Sequence, residues 1–473
     1  KKERYMRKIV AAIDLGTSKI TCAVGEMTVN GIKIIGFHSL PSKGILRAEV
    51  INIQQVVNIA APLVQEVEKS IGLKLKSLFL GLSGQNIRCI IQTHHLIRKA
   101  PDDLITEDEI SGMTNQMYTI NVNSGEKILH VIPQAFNIDD FLGITEPAGM
   151  IGKEIGGTFN VIIGKESMVA NLQNFANRCG GLKLLGVSLN SLASARAVAN
   201  NDYREMGVAI VDIGAGSTDI TIIEQNMVRY TAVVPFGGNA ITNDIKMEFN
   251  IASRQAEDLK RVHGSAYSQY TQANKAVAIP GMSATDLKEI SIRNLARVIE
   301  ARVQEIFEAV DYHLVQSGYK EMLNAGILIT GGGSKLMHIC QCAKLVTGLE
   351  AYTAAPQNSV TEDSVGDITS PESSTVIGLI LNGFDKMAYS GESFDTTSPL
   401  AEQNLFSQEE EREKEAIKEK ELSEKETLKE EAALQEKNQE SAKKNKEGAK
   451  GKGNIFSRAW KAFTSDNIIN NDA

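Results

Sequence analysis

Short apolar runs alternate with polar, glycine-containing loops over the first part of the chain. Residues 9–13, 20–24 and 32–37 are rich in Ile, Val and Ala, which predicts three strands joined by short connections. Residues 53–71 instead place Val, Ala and Leu three and four positions apart, which predicts an amphipathic helix. Residues 78–81 return to a strand pattern, so the chain opens as an α/β domain.

The loop between the first two predicted strands reads Asp14-Leu15-Gly16-Thr17-Ser18-Lys19. Glycine lets a ligand approach the backbone closely, and successive N–H groups in such a turn form a concave anion site. The two hydroxyl groups add donors, and the lysine would neutralise phosphate charge. The loop therefore predicts a phosphate site, although a glycine turn by itself also occurs in ordinary hairpins.

The same strand–loop–strand pattern returns in the second half of the chain. Residues 208–211 and 220–223 are apolar, and Asp212-Ile213-Gly214-Ala215-Gly216-Ser217-Thr218-Asp219 lies between them. A duplicated glycine loop predicts two similar domains that face each other across a nucleotide. Asp14 and Asp212 follow their strands directly, so they are candidates to hold a divalent cation through water. The second loop carries Asp219 where we align Lys19, which predicts different roles for the two loops.

With three further segments, the two loops resemble the motifs of the actin, Hsp70 and sugar-kinase superfamily. Residues 327–334, which end in Thr-Gly-Gly-Gly-Ser, resemble its adenosine motif, and Phe236-Gly237-Gly238-Asn239 resembles a further loop on the nucleotide side. Glu257 and Lys260 resemble the pair that reaches ribose and adenine, with a surface ion pair as the alternative. The resemblance implies ATP and Mg²⁺ as ligands, with Mg²⁺ on Asp14 and Asp212 and the nucleotide on Gly16, Thr17, Ser18, Lys19, Gly214, Ala215, Gly216, Ser217, Thr218, Gly237, Gly238, Glu257, Lys260, Gly331, Gly332, Gly333 and Ser334.

Residues 85–163, here called the insert, have their own strands and a helix, which actin does not place at this point. The sequence Thr106-Glu107-Asp108-Glu109 is a capping box that predicts the start of the helix. Glu146-Pro147-Ala148-Gly149-Met150-Ile151-Gly152 resembles a signature of the FtsA family, the actin homologues of bacterial cell division. Ser42-Lys43-Gly44-Ile45 and Gly81-Leu82-Ser83-Gly84 fit the same family. Ala48 and Asn160 depart from its usual Gly and His, and we expect neither to touch the nucleotide.

The family resemblance implies an α/β, actin-like (ribonuclease H-like) fold with duplicated ATPase domains. It also implies a protein that polymerises and anchors the FtsZ ring to the cytoplasmic face of the plasma membrane. Arg302 and Glu305 would contact the C-terminal peptide of FtsZ, with a solvated charged face as the alternative, and the insert would contact other division proteins. The predicted domains are 1–84 with 164–206, the insert, 207–242 with 325–386, and the small subdomain 243–324.

Beyond residue 386 the composition changes, and Glu and Lys soon alternate densely without a leucine heptad. Residues 387–453 are predicted to be a linker, either disordered or a fluctuating single helix. Residues 454–465 then carry aromatic and cationic side chains at helical spacing, which predicts an amphipathic helix in a membrane interface, with docking on a protein as the alternative. The membrane-facing set is Ile455, Phe456, Arg458, Ala459, Trp460, Lys461 and Phe463.

Composition and charge narrow the range of possible functions. A net charge of −8 argues against a nucleic-acid binder, and five scattered cysteines without metal-type spacing predict free thiols. No apolar run reaches the roughly 20 residues that span a bilayer. A PilM-like pilus-assembly scaffold and a small-molecule kinase share the loops and stay alternatives. Catalytic residues are not identified, with Gln173 the one candidate to orient water, so ATP turnover is expected to be slow.

Overall fold

The computed structural model describes residues 8–272, 275–280, 287–356, 360–390 and 397–399. The predicted membrane helix at 454–465 and nearly all of the predicted linker lie outside these residues. Within them, two five-stranded sheets repeat one topology, and a four-stranded sheet belongs to the insert. The remaining sheets that are described have two strands each.

The first sheet grows from an antiparallel hairpin whose register places Asp14 opposite Thr21. One face packs on the helices Ile53–Ile71 and Glu166–Arg178. The first of these has the predicted bounds, because Asn52 caps its start and Gly72 ends it in the left-handed conformation. The sheet order is Lys183–Leu189, Ser77–Leu82, Ile9–Leu15, Lys19–Thr28, Gly31–Pro41. The sequence pattern did not predict Lys183–Leu189, whose side chains are mostly half-buried.

The second sheet repeats this arrangement strand for strand. Asp212 lies opposite Asp219 in its central hairpin and beside Thr330 of a parallel strand. Read in the same direction as the first sheet, the order is Ala351–Thr353, Ile327–Thr330, Val208–Ile213, Thr218–Glu224, Met227–Val234. The duplication predicted from the two glycine loops therefore extends to whole sheets.

Two helices, Asn190–Val198 and Ser374–Ser390, pack on each other close to both glycine loops. A Cβ on Gly378 would lie 1.8 Å from the carbonyl oxygen of Ala193, so only glycine permits this approach. The helix Ser374–Ser390 packs on the first sheet through Ile377, Ile380 and Phe384.

This packing corrects the predicted extent of the second half, for which the sequence pattern predicts an end at residue 386. The N–H groups of Thr361 and Val365 already donate to the carbonyl groups of Ile32 and Ile34 in the first sheet, at 2.8 and 2.9 Å. The chain has therefore returned to the first half by residue 361. An apolar helix pattern cannot indicate which of two sheets it packs on, since either offers the same hydrophobic surface.

The small subdomain joins the helices Gly238–Phe249, Ser253–His263 and Ile292–Ser317 to a two-stranded hairpin, Ala276–Pro280 with Leu287–Ser291. The predicted helix 287–316 was wrong at its start. Residues 287–291 pair as a strand, and the Ser291 side chain caps the helix by accepting from Asn294 N–H. The further helices are Asn201–Met206 and Ile339–Thr347.

The insert folds around its own core of Met113, Phe136 and Phe159. Its helix, Glu107–Met117, begins with the predicted capping box. Its strands are ordered Phe141–Ile144, Glu126–Ile138, Glu154–Lys165, Arg88–Ile97.

Side chains of the insert dock on the edge strand Met227–Val234 of the second sheet. Gln134 Nε2 donates to Val228 O at 2.8 Å, and Asn160 Nδ2 donates to Arg229 O at 3.0 Å. These bonds satisfy edge carbonyl groups that would otherwise need water. The insert thus belongs to the first half in sequence and contacts the second half in space.

The predicted linker start at residue 387 was also too early. The helix Ser374–Ser390 continues past it, and Thr397–Pro399 pairs antiparallel with Leu73–Leu75 beside the first sheet. All five cysteines are free thiols, as expected. No helix in the described ranges is long and apolar enough to cross a membrane.

Candidate functional site

A cavity of about 810 Å³ lies between the two glycine loops and is lined by both. Each loop has four residues between paired strand ends, because Leu15 pairs with Ile20 and Ile213 pairs with Thr218. This register makes Ser217 the counterpart of Lys19. The sequence alignment of Lys19 with Asp219 was therefore wrong, since Asp219 occupies the position of a strand residue, Thr21.

The two loops touch each other across the cavity. A Cβ on Gly216 would lie 2.4 Å from Thr17 Oγ1, so a side chain there would push the loops apart. Thr17 Oγ1 also accepts the N–H of Ala48 at 3.0 Å. Ala48 lines the cavity, although the sequence predicts no contact between it and the nucleotide. Its φ of 63° lies in the left-handed region, where the family's usual glycine is unstrained.

The second loop is held in shape by the start of the next helix. Gly238 N–H donates to Gly214 O at 2.9 Å, and Asn239 N–H donates to Ala215 O at 2.8 Å. A Cβ on Gly237 would lie 2.4 Å from Gly214 O, and the Thr218 hydroxyl donates to Phe236 O at 3.0 Å. Gly237 and Thr218 therefore shape the loop rather than line the cavity.

Three aspartates lie at the base of the cavity, and two of them, Asp212 and Asp219, are buried. Burial raises the pKa of Asp14 to about 7, and the neighbouring Asp212 carboxylate adds to this rise. Burial also raises the pKa of Asp212, against hydrogen bonds from Ser194 and Thr375. The pKa of Asp219 is raised to about 8 by burial and by the charges of Asp212 and Asp14. The three carboxylates thus repel one another in a site that a cation would stabilise.

The far wall of the cavity is formed by a lysine–glutamate pair and by glycines. Lys260 Nζ donates to Glu257 Oε2 at 2.7 Å and to Thr242 Oγ1 at 2.8 Å. Burial acts to raise the pKa of Glu257, but hydrogen bonds from Lys260 and Thr242 outweigh it and lower the pKa. Gly331, which also lines the cavity, has a φ of 78°, and a Cβ on it would lie 2.2 Å from Asp212 Oδ1.

At another part of the wall, Lys19 of the first loop donates to Glu372 Oε2 at 2.7 Å. Lys335 donates to the other oxygen of Glu372 at 2.9 Å. Burial acts to raise the pKa of Glu372, but its hydrogen bonds to Lys19 and Lys335 lower the pKa to about 2. Glu372 is therefore ionised and held by cations from both halves.

The structure brings most of the predicted nucleotide and metal residues to this cavity and places the others outside it. Ser334 is buried behind the wall, where its hydroxyl donates to Gly331 O. Arg302 and Glu305 lie on the small subdomain and pair with each other. Gln173 does not line the cavity. It lies on the helix Glu166–Arg178, where its side-chain amide donates to Asn177. The lining set is Asp14, Gly16, Thr17, Ser18, Lys19, Asp212, Gly214, Ala215, Gly216, Ser217, Gly238, Glu257, Lys260, Gly331, Gly332 and Gly333.

Sequence reasoning missed several residues of the cavity wall. The sequence pattern identifies Asp219 only as the residue in place of Lys19. Its pairing with Asp212 across the hairpin could have indicated that it lies beside the cavity. Asn190 begins a helix directly after a strand, and its buried Oδ1 has no partner. Thr242 and Glu372 stand in segments without a motif, so nothing in the sequence marked them.

Comparison with known proteins identifies the family. A family model described as cell division protein FtsA matches residues 209–378, and one described as an SHS2 domain inserted in FtsA matches residues 84–163. FtsA of Pseudomonas aeruginosa is 30% identical over 401 residues, which cover 83% of this chain and 95% of that protein. The chain belongs to the FtsA family of cell division proteins. FtsA of Neisseria meningitidis is 33% identical over 377 residues, covering 79% of this chain and 90% of that protein.

Solved structures place this FtsA-family chain in the actin-like fold, as predicted. A chain of the PilM–PilN type IV pilus biogenesis complex has a TM-score of 0.53 at 16% identity, covering 79% of this chain and 98% of that chain. MreB5 of Spiroplasma citri bound to ADP has a TM-score of 0.50 at 14% identity, covering 81% and 99%. These likenesses concern fold alone. Family membership, not fold, therefore decides for a cell division protein over the pilus-assembly and kinase alternatives.

Proposed function

We propose that the chain binds ATP with Mg²⁺ in this cavity and uses the nucleotide as a ligand for filament assembly. The contact between Gly216 and Thr17 carries the proposal, because it brings two glycine loops from separate halves to one point. Backbone N–H groups from both loops can then converge on one chain of phosphates. A neighbour of the same fold, MreB5, is described as bound to ADP, which agrees with this use of the fold.

Asp14 and Asp212 would hold the Mg²⁺. A Mg²⁺ ion keeps several waters and takes one or two carboxylates together with phosphate oxygens. Both carboxylates line the cavity, and burial raises the pKa of both. Within the described residues no group of three or more His, Cys, Asp or Glu side chains could hold a metal by itself, so the ion would come with the phosphates. Once bound, the ion would neutralise phosphate charge.

Titration calorimetry with ATP tests the nucleotide proposal. We expect binding that needs Mg²⁺ and is lost when Asp212 is changed to Asn. The matched control is Asp202→Asn, which changes an aspartate on a surface helix outside the cavity. Failure of the unchanged chain to bind ATP, with or without Mg²⁺, would show that the proposal is wrong.

We propose slow ATP turnover, so that bound ATP acts on assembly rather than as a fuel for fast chemistry. Among the described residues that line the cavity there is neither a glutamine nor a histidine to orient a water molecule. The amide side chains that line it are those of Asn190 and Asn239. Phosphate release by purified chain, measured under single-turnover and steady-state conditions, tests this point. Rapid multiple turnover without filaments would contradict it.

We also propose that residues 454–465 attach the chain to the cytoplasmic face of the plasma membrane. Burial of the four large apolar side chains of this segment would contribute roughly 6–10 kcal/mol to membrane binding. Each cation would add about 1 kcal/mol on anionic lipid. Ordering the segment costs a similar amount, at roughly 1 kcal/mol or more per residue. One copy should therefore bind weakly and a filament firmly. Sedimentation with anionic liposomes should pellet the full chain but not a chain that ends at Gly453.

For the division partner, we propose that the small subdomain binds the C-terminal peptide of FtsZ near Arg302 and Glu305. Arg302 pairs with both Asp244 and Glu305, and 55% of the Glu305 side chain is exposed. The insert would bind other division proteins, since Phe141 and Leu142 in its edge strand are 68% and 76% exposed. Fluorescence anisotropy with the FtsZ peptide should give weaker binding for Arg302→Ala than for Arg88→Ala on the insert. Equal affinities would move the FtsZ site elsewhere.

A further inference from the structure

Acidic and basic side chains line the cavity in equal number. Five of them are acidic and five are basic: Asp14, Asp212, Asp219, Glu257 and Glu372 against Lys19, Arg254, Lys260, Arg261 and Lys335. The three lysines are already paired, Lys260 with Glu257 and the other two with Glu372. An incoming polyphosphate therefore meets lysines whose donors point at carboxylates of the protein.

Glu372 is fixed where it can hold two cations at once. The backbone of the preceding residue is anchored, because Pro371 O accepts from Gly331 N–H and from the Thr330 hydroxyl, both at 3.2 Å. One carboxylate oxygen then takes Lys19 and the other takes Lys335. Lys19 belongs to the first glycine loop and Lys335 follows the adenosine-type strand, so the carboxylate bridges the two halves.

We propose that Lys19 and Lys335 form an anion subsite for which Glu372 and a phosphate group of the nucleotide compete. The inference rests on the proposed binding of ATP and names the regulation of that site. A carboxylate and a phosphate oxygen accept the same charge-assisted hydrogen bonds from a lysine. Phosphate binding therefore has to displace Glu372 from at least one lysine, which weakens the affinity for the nucleotide.

The competitor is charged at every ordinary pH. Pairing with the two lysines lowers the pKa of Glu372 to about 2, so protonation does not release them. Only a competing anion, or screening by salt, frees Lys19 and Lys335. When phosphate takes over, the bridge between the halves passes from a side chain to the ligand. The bound nucleotide then becomes the group that holds the cavity closed.

The test compares Glu372→Gln with the unchanged chain, using ATP with Mg²⁺ and inorganic tripolyphosphate as probes in titration calorimetry. The amide keeps the shape of the side chain but cannot compete as an anion. We expect Kd to fall by roughly tenfold for both probes, the size of one charge-assisted hydrogen bond near solvent. The difference should shrink as salt rises. The matched control is Glu350→Gln, which breaks the exposed pair with Lys344 outside the cavity and should leave Kd unchanged.

A second variant shows whether Glu372 competes with phosphate or instead positions Lys19 for it. Lys335→Gln should weaken the binding of both probes, because it removes a donor from the proposed subsite. Unchanged or weaker binding by Glu372→Gln, in a chain that unfolds at the same temperature, would overturn the inference, since Glu372 would then be positioning Lys19. If ATP fails to bind, the proposed function falls, and tripolyphosphate still decides the subsite. Failure of tripolyphosphate to bind either chain counts against the subsite.

Discussion

The hydroxyl of Ser83 donates a hydrogen bond of 2.5 Å to Asp219 Oδ1, and the two residues lie 136 positions apart. Ser83 directly follows the strand Ser77–Leu82, just before the insert, and Asp219 lies in the central hairpin of the second half. The bond therefore joins the first half, next to the insert, to the carboxylates of the cavity. The pKa of Asp219 therefore depends on residues of both halves.

The first prediction concerns this ionisation. The pKa of Asp219 is raised from 3.8 to about 8, mainly by burial, so its protonated form adds stability that is complete below 3.8 and lost as the pH rises through 8. Asp219→Asn removes this loss. In the absence of metal and nucleotide, the unfolding temperature of the variant minus that of the unchanged chain should increase from pH 4 to pH 8.

Comparing two chains removes the contributions of titrating groups that do not interact with Asp219. The pKa of His130, for example, is lowered by burial to about 4, and its contribution cancels in the difference. Asp258→Asn, at an exposed helix position outside the cavity, is the control variant. A difference for Asp219→Asn that stays constant from pH 4 to pH 8 would contradict the prediction.

The second prediction separates backbone strain from close contact at two glycines. Gly331 and Gly348 have φ values of 78° and 76°, but a Cβ would meet Asp212 Oδ1 at 2.2 Å only in the first case. Alanine at either position should lower the free energy of unfolding by about 1 kcal/mol through the left-handed backbone. Gly331→Ala should lose more, and it should also lose ATP binding, while Gly348→Ala keeps it.

Denaturant unfolding and titration calorimetry on the same preparations provide both readouts. Equal losses of stability in the two variants, together with equal ATP affinity, would show that Gly331 does not approach Asp212 as closely as the structure has it.

The third prediction concerns the two-residue turn at Arg47 and Ala48, where both φ values are positive, 49° and 63°. Such turns favour glycine because a Cβ is strained there. Ala48→Gly should therefore raise the free energy of unfolding by roughly 0.5–1 kcal/mol. Ala170→Gly, in the middle of the helix Glu166–Arg178, is the matched control and should lower it by about 1 kcal/mol. Loss of stability in both variants would refute the strain at Ala48.

The fourth prediction concerns the docking of the insert on the edge strand Met227–Val234. Gln134→Ala removes the side-chain donor to Val228 O in a partly buried contact. It also removes one acceptor of Arg229, which keeps its bonds to the Gln134 carbonyl group and to Glu224. The docked state should lose about 1–3 kcal/mol. Hydrogen exchange should then become faster in the edge strand and in the insert.

Arg88→Gln is the control for this docking experiment. It breaks a solvent-exposed ion pair with Glu126 within the insert, and such pairs contribute little to stability. Unchanged exchange in the edge strand of the Gln134→Ala chain would mean that the insert moves independently of the second half.

The sequence pattern by itself determined the local elements that have strong signals. The helix Ile53–Ile71 has its predicted bounds because Asn52 and Gly72 cap it, and the capping box at Thr106 sets the helix start. Glycines before and after short apolar runs gave both loops, and their repetition predicted the duplicated fold. These features depend on residues that are neighbours in the chain, so reading the chain in order finds them.

Only the tertiary structure decided which distant residues meet. Glu372 contacts Lys19 across 353 positions, and Ser83 contacts Asp219 across 136. The same holds for the return of residues 361–390 to the first sheet, which an amphipathic pattern cannot assign to one of two equivalent surfaces. Side chains of this kind come together only after both halves have folded around the cavity. The chain order contains no periodicity that would reveal them.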